Sequence, residues 1–346
     1  MNKQGIKTLI IDDSGLMRIM LSDALRADPE ILVVGTASNG MEGVEKIYAL
    51  DPDVVITDMV MPKYGGLYVV RNIMAKKPRP IFLLSSLSRS NSEVFEALSS
   101  GAVDFIDKPK KESSKSFQRS MDVLISKIKM ASTVNTSNMV VSWPKNNNHQ
   151  HTFEENLEYD VIALGASTGG PSTIEYILGQ LPSNLKIPVI IAQHMPERFI
   201  ISFCERLEEK TPLKIRIASH DQIIKPGTIY LAPGTDNLMV ASAKNGDKRF
   251  QFTKQKFKNF NNPSIDCLFE SIAETFGPRT IAAILTGMGK DGAEGLKKIR
   301  NIGGLTIAQD KNSCVVYGMP KAAINAKAVD YTLKLKEIPG FIVSCL

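Results

Sequence analysis

Cysteine is scarce: four in 346 residues, Cys204, Cys267, Cys314 and Cys345, none at close metal-ligand spacing, which excludes a disulfide framework and a structural zinc site. Histidine is equally scarce, with four, so few groups are available as a neutral-pH base. No apolar run approaches the roughly 18 residues a membrane span needs, and the N-terminal MNKQGIKTLIIDD lacks the apolar core of a signal peptide. A cytoplasmic protein without membrane insertion is expected. The formal charge of +6 permits an acidic partner without requiring one. The most basic stretch, 244–258 (KNGDKRFQFTKQKFK), alternates Lys and Arg with Phe250, Phe252 and Phe257, as a half-buried strand or hairpin does, and no helix-turn-helix pair accompanies it. Nucleic acid is not expected as a partner.

What is present is a repeated alternation of short apolar runs and helical patterns. It predicts an α/β chain of two doubly wound parallel-sheet domains, the first flavodoxin-like and the second Rossmann-like. The expected boundaries are 1–125, a linker at 126–156 and 157–346. Residues 132–156 carry no periodicity and much Asn, Ser and Thr, although the helical pattern of Lys115 to Met130 runs on into the join. Two histidines of that stretch, His149 and His151, make a poor metal tract. Trp143 is expected to pack onto one of the domains.

In the first segment the apolar runs 7–13, 31–38, 53–59, 80–86 and 104–109 are interrupted by polar residues where strands should end: Asp12 and Asp13, Asp58, Ser85 and Lys108. Ligands of open parallel sheets bind beyond those carboxyl ends. Converging carboxylates repel unless a hard cation lies between them, and magnesium suits two or three carboxylates with phosphate. A lysine and a hydroxyl nearby suit the oxygens of a phosphoryl group on Asp58.

With Met61-Pro62 and Lys108-Pro109, this set resembles a response-regulator receiver domain over about 5–125. The resemblance implies Asp58 as phospho-acceptor and Mg2+ held by Asp12, Asp13, Asp58 and the backbone carbonyl of Val60. It also implies Ser85 and Lys108 as phosphoryl contacts, Phe105 as the switch aromatic and a histidine kinase as phosphodonor.

The second segment opens with VIALGASTGGPS (161–172). It lacks the lysine of a nucleotide-hydrolase phosphate loop, and Ser167 stands where a dinucleotide fingerprint needs glycine. It does spell Gly165-x-Ser167-x-Gly169, a serine presented on a sharp strand-to-helix turn, or a helix-capping serine. A nucleophile needs a base and an orienter. His194 closes the run VIIAQ at the same sheet edge, whereas His220 lies before a loop. Asp291, in LTGMGKDG, follows another apolar run and serves as orienter or as N-cap of the helix that follows. The order Ser, His, Asp differs from that of the common serine hydrolase fold.

GASTGGP, Gln193-His194-Met195-Pro196, YLAPG (230–234), PSIDCLF (263–269), LTGMGKDGAEG (285–295) and VVYGMPKAA (315–323) together resemble the chemotaxis protein-glutamate methylesterase catalytic domain over about 157–335. The resemblance implies Ser167 as nucleophile, His194 as base then acid, Asp291 as orienter, a backbone donor at Met288 near the oxyanion and Thr168 as active-site neighbour. It further implies methanol release from glutamate methyl esters on chemoreceptor methylation helices, glutamine deamidation in some members, and no cofactor for hydrolysis. This chain departs from the family pattern at Asn237, where histidine is common, at 257–262 and at Ser313-Cys314. Those departures point to altered substrate recognition, and they keep open a receiver-controlled binding or adaptor protein that retains the esterase fold. A receiver ahead of a hydrolase suggests control by access, relieved when Asp58 is phosphorylated.

Overall fold

The computed structural model describes residues 5–85, 91–108, 114–131, 134, 136–138, 158–255 and 263–346; His149, His151, Trp143, Pro109 and residues 257–262 lie outside the described residues. The chain divides into two compact units, Met1–Val140 and Val141–Leu346.

The first unit alternates β1 (Ile6–Ile11), α1 (Gly15–Arg26), β2 (Ile31–Ala37), α2 (Gly40–Leu50), β3 (Val54–Asp58), α3 (Gly66–Lys76), β4 (Ile81–Ser85), α4 (Asn91–Ser99), β5 (Asp104–Asp107) and α5 (Ser114–Ala131). All pairings are parallel, in the order β2-β1-β3-β4-β5. β3 and β4 are buried at every position, which explains their unbroken apolar runs. Ser14 caps α1 by accepting from the Met17 N–H, so that helix starts immediately past Asp12 and Asp13. From β1 the chain winds outward to β2 on one side and to β3, β4 and β5 on the other. The crevice at that switch lies between the ends of β1 and β3, where Asp12 and Asp58 stand.

The second unit contains β6 (Val161–Ala166), α6 (Gly170–Leu178), β7 (Val189–Gln193), α7 (Glu197–Lys210), β8 (Lys214–Ile217), β9 (Thr228–Leu231), β10 (Asn237–Ser242), β11 (Lys248–Thr253), α8 (Ile265–Phe276), β12 (Thr280–Ile284), α9 (Ala293–Asn301), β13 (Leu305–Gln309), α10 (Met319–Asn325), β14 (Tyr331–Leu333) and α11 (Ile338–Ser344). Seven strands form a parallel sheet in the order β14-β13-β12-β6-β7-β9-β8. The basic stretch supplies β11, which pairs antiparallel with β10 in a hairpin. Phe250 is buried against Tyr230, while Lys248 and Arg249 reach Ser242 and the Asp221 carbonyl. The short edge strands β8 and β14 were not expected from the sequence.

Here the winding reverses at β6, with β12 on one side and β7 on the other. Ser167 follows β6, His194 follows β7, and the loop after β12 carries Met288 and Asp291. Both units thus place their candidate chemistry at a topological switch point, by the same geometry of parallel sheets.

Candidate active site and phosphorylation site

In the first unit one carboxylate oxygen each of Asp12, Asp13 and Asp58 lies within 4.8 Å of the others, with Asp12 and Asp58 buried and Asp13 exposed. Lys108, just past β5, brings its Nζ to 2.7 Å from Asp12 Oδ2 and 2.5 Å from Asp58 Oδ2. Burial pushes the Asp58 carboxyl above its ordinary range and Asp12 adds to the effect, against the opposing pull of Lys108. Burial works the other way on Lys108, but its two carboxylate partners outweigh it and hold the ammonium charged. At this site the buried Ser85 Oγ has no hydrogen-bond partner among the described residues, and Asp12 Oδ2 has only its ion pair with Lys108. A buried hydroxyl left in that way is costly unless something else binds there. The donor set, carboxylate oxygens at the mouth of a crevice, fits a hard divalent cation. Val60 is exposed at the rim, its N–H reaching Asp58 Oδ1 at 3.4 Å, and Phe105 is buried on β5.

In the second unit the turn after β6 is fixed from both sides. The Ser167 N–H donates to the Thr286 carbonyl at 3.1 Å, and the Ser167 carbonyl accepts from the Gly170 N–H at 2.8 Å and Gln193 Nε2 at 3.0 Å. Gly169, with φ +75°, is the N-cap of α6; a Cβ there would stand 2.7 Å from Val315 Cβ. Gly169→Ala is expected to cost about 1–2 kcal/mol for the left-handed backbone alone, read as a lowered melting temperature. Thr286 Oγ1 donates to the Thr168 carbonyl at 3.0 Å and accepts from the Val316 N–H at 2.9 Å, stitching three loops together.

Ala166 pairs with Gln193 across β6 and β7, so Ser167 and His194 follow equivalent positions of neighbouring strands. His194 Nε2 is 2.7 Å from Asp291 Oδ2. An ionised Asp291 accepts the Nε2 proton, which leaves Nδ1 as the lone-pair nitrogen. The structure therefore joins His194 to Asp291 directly. The half-buried Ser167 hydroxyl has no hydrogen-bond partner among the described residues. The same is true of the Met288 N–H, while Thr168 is buried beside them. His220 is exposed and sets its ring at a tilt against Phe252, away from this cluster's hydrogen bonds.

Asp291 does not cap the helix it precedes, whose N-cap is Gly292. It accepts instead at the start of α8: from the Ile265 N–H at 2.9 Å, the Asp266 N–H at 3.1 Å and Ser264 Oγ at 3.1 Å, and also from the Gly292 N–H at 3.1 Å. Asp266 returns the favour to α9 by accepting from the N–H groups of Glu294 and Gly295 at 3.1 and 2.9 Å. Each helix thus lends a carboxylate to the other's N-terminus. Burial opposes the charge on Asp291, but the His194 contact and the N–H groups of Ile265 and Asp266 outweigh it and keep the carboxyl low. Burial pushes Asp266 up, and its charged neighbour Asp291 adds to the rise. The sequence reading missed this support; the only signal was a serine and an aspartate around a helix start in PSIDCLF.

Two of the three departures turn out to be internal. Asn237 is wholly buried, and Cys314 is buried with its thiol 3.8 Å from the Gln309 carbonyl, so neither can touch a substrate directly. Ser313 Oγ ties Asp310 to the N–H of Leu335.

Residues 162–342 match the family described as CheB methylesterase, and residues 8–115 match the response regulator receiver domain. A Thermotoga maritima protein-glutamate methylesterase/protein-glutamine glutaminase is 38% identical over 344 residues, spanning 99% of both chains. A Methanosarcina mazei protein of the same description is 36% identical over 350 residues, covering 98% of this chain and 95% of its own. The crystal structure of the Thermotoga maritima CheB methylesterase catalytic domain superposes with a TM-score of 0.53 at 38% identity, over 54% of this chain and 99% of that one. No helix among the described residues is long and apolar enough to cross a membrane. Full-length similarity, two matched domains and their order agree: the chain belongs to the CheB methylesterase family, with a response-regulator receiver domain ahead of the methylesterase domain.

Proposed function

We propose that this chain hydrolyses glutamate methyl esters on chemoreceptor methylation helices, releases methanol, deamidates receptor glutamines by the same route, and is controlled by phosphorylation of Asp58. The observation that carries the reading is the pairing of buried Asp291 with half-buried His194, 2.7 Å apart, at the strand end next to Ser167.

Ser167 Oγ attacks the ester carbonyl while His194 Nδ1 takes its proton. Asp291 keeps the imidazole in that tautomer and stabilises the imidazolium that forms. The unpaired Met288 N–H suits the oxyanion of the tetrahedral state, a contact typically worth about 3–4 kcal/mol when well aimed. Thr168 holds the loop that presents the serine. His194 returns the proton to departing methanol, and the acyl-enzyme is released when the same nitrogen activates water. For a glutamine side chain the leaving group is ammonia and the remaining steps are unchanged.

On the receiver, Asp58 accepts the phosphoryl group from a chemotaxis histidine kinase. Asp12, Asp13, Asp58 and the Val60 carbonyl would hold Mg2+, which when bound would supply charge neutralisation for that transfer. Lys108 and Ser85 bind the phosphoryl oxygens, and Phe105 reports the change as the switch aromatic.

The test is methanol release from methylated chemoreceptor cytoplasmic domains by the full chain, with Mg2+ and with or without acetyl phosphate. Release that rises with the phosphodonor is expected. Asp58→Asn should incorporate no phosphate and show no rise while keeping the basal rate. Undiminished labelling of that variant would remove Asp58 from its role, and absence of release from any methylated receptor would remove the hydrolase reading.

A further inference from the structure

Asn237 opens β10 with none of its surface exposed. A buried primary amide must find partners for both its acceptor and its donors. Here Oδ1 accepts from the Ser264 N–H at 2.7 Å, and Nδ2 donates to the Gln255 carbonyl at 2.8 Å. Gln255 lies just beyond β11 and Ser264 is the N-cap of α8, so one side chain ties the end of the hairpin to the start of the helix. Ser264 passes the constraint on, donating from Oγ to Asp291 Oδ1 at 3.1 Å while accepting from the Cys267 N–H at 3.2 Å. An unbroken run of hydrogen bonds therefore leads from Asn237 through Ser264 and Asp291 to His194. Asn237 and Ser264 are buried, at 0% and 1% exposure, and act on the chemistry only through their neighbours.

We infer that Asn237 is a positioning residue for the hydrolysis: by holding the Ser264 N–H it sets where the Ser264 hydroxyl meets Asp291, and so how that carboxylate faces His194. This rests on the reading of Asp291 and His194 as orienter and base. The Ser264 hydroxyl draws charge toward Oδ1, away from the oxygen that faces the imidazole. Without it, more negative charge confronts His194 and the imidazolium is favoured. The carboxylate also gains freedom to turn, which slows turnover while substrate contacts are untouched.

The experiment uses the full chain and a methylated receptor domain. Asn237→Ala should move the acid limb of kcat against pH upward by about half a unit and lower kcat about tenfold, with KM within about twofold. Ser264→Ala should give the same displacement, and the double variant no more than either alone, because both act through one contact. Ser264→Thr, which keeps a hydroxyl, should restore the wild-type limb. The low-field proton NMR signal of the His194–Asp291 hydrogen bond gives a readout independent of turnover: it should move in both alanine variants and stay in Ser264→Thr. A purely structural Asn237 would lower the melting temperature and leave the acid limb and that proton in place, which overturns the inference; so would additive displacements in the double variant. Should Asn237→Ala fail to fold, Asn237→Ser, whose single hydroxyl cannot serve both Ser264 and Gln255, is tested instead, and an unmoved proton there overturns it equally. Ser167→Ala and His194→Gln, run alongside, separate the two claims. Wild-type turnover in either removes the triad reading, whereas two inactive proteins with an unmoved limb in Asn237→Ala remove only the role of Asn237.

Discussion

Ser167→Ala is expected to reduce methanol release by about 10⁴- to 10⁶-fold, the scale on which losing a serine nucleophile acts, with little change in substrate binding. The folded protein should barely notice. The hydroxyl is half-buried and pairs with nothing among the described residues, while the hydrogen bonds that shape the turn run through the Ser167 backbone. Stability should therefore stay within about 0.5 kcal/mol of wild type. Thermal melts together with single-turnover assays check both halves. Appreciable turnover in a folded Ser167→Ala protein would show that the nucleophile lies elsewhere.

Asp291→Asn is expected to behave differently, losing about 10⁴-fold in kcat and also losing stability. The reason lies in what surrounds the carboxylate. Oδ1 accepts from Ser264, Asp266 and Gly292, and Oδ2 from His194 and Ile265. An amide must put its NH2 on one side or the other. On the Oδ1 side it would face two backbone N–H groups, so the Oδ2 side is the lesser conflict. There the NH2 faces His194 Nε2, which must become the acceptor, and the ring proton moves to Nδ1, the nitrogen that should receive the serine proton. The Ile265 N–H is simultaneously left unpaired in a buried place, at a cost of about 1–3 kcal/mol. A melting temperature lower by roughly 2–12 °C follows for a domain of this size. The pair of variants thus separates chemistry from architecture: Ser167→Ala should be dead and stable, Asp291→Asn dead and weakened. An Asp291→Asn protein as stable as wild type would mean that Ile265 has found another acceptor.

The features legible in the sequence were those that repeat or sit at strand ends. Fully buried parallel strands produce apolar runs, so β3, β4, β6, β7 and β12 announced themselves, and the polar residues at strand ends marked the two crevices. β8 and β14 were missed because three or four residues at a sheet edge carry no period. The hairpin was half-read: Phe250 among lysines suggested a strand, but its partner β10 begins with Asn237, whose burial no local pattern signals. Substrate recognition was the expected consequence of that asparagine; its burial makes it an internal support instead. Asp291 was readable as an acid after a strand, yet its partners at the start of α8 lie 25 and 26 positions away. No sequence rule could say that it would cap a different helix from its own, nor which imidazole nitrogen it would face.

The exchange of carboxylates between α8 and α9 has a dynamic consequence. If Asp291 swings away, the amides of Ile265 and Asp266 lose their acceptor; if Asp266 does, those of Glu294 and Gly295 lose theirs. Neither helix start can fray alone. The four amides should exchange with deuterium as a single cooperative unit, protected well beyond a fraying helix end. The catalytic geometry then persists for as long as that unit stays closed, so lapses in activity and openings of the two helices should be one and the same event.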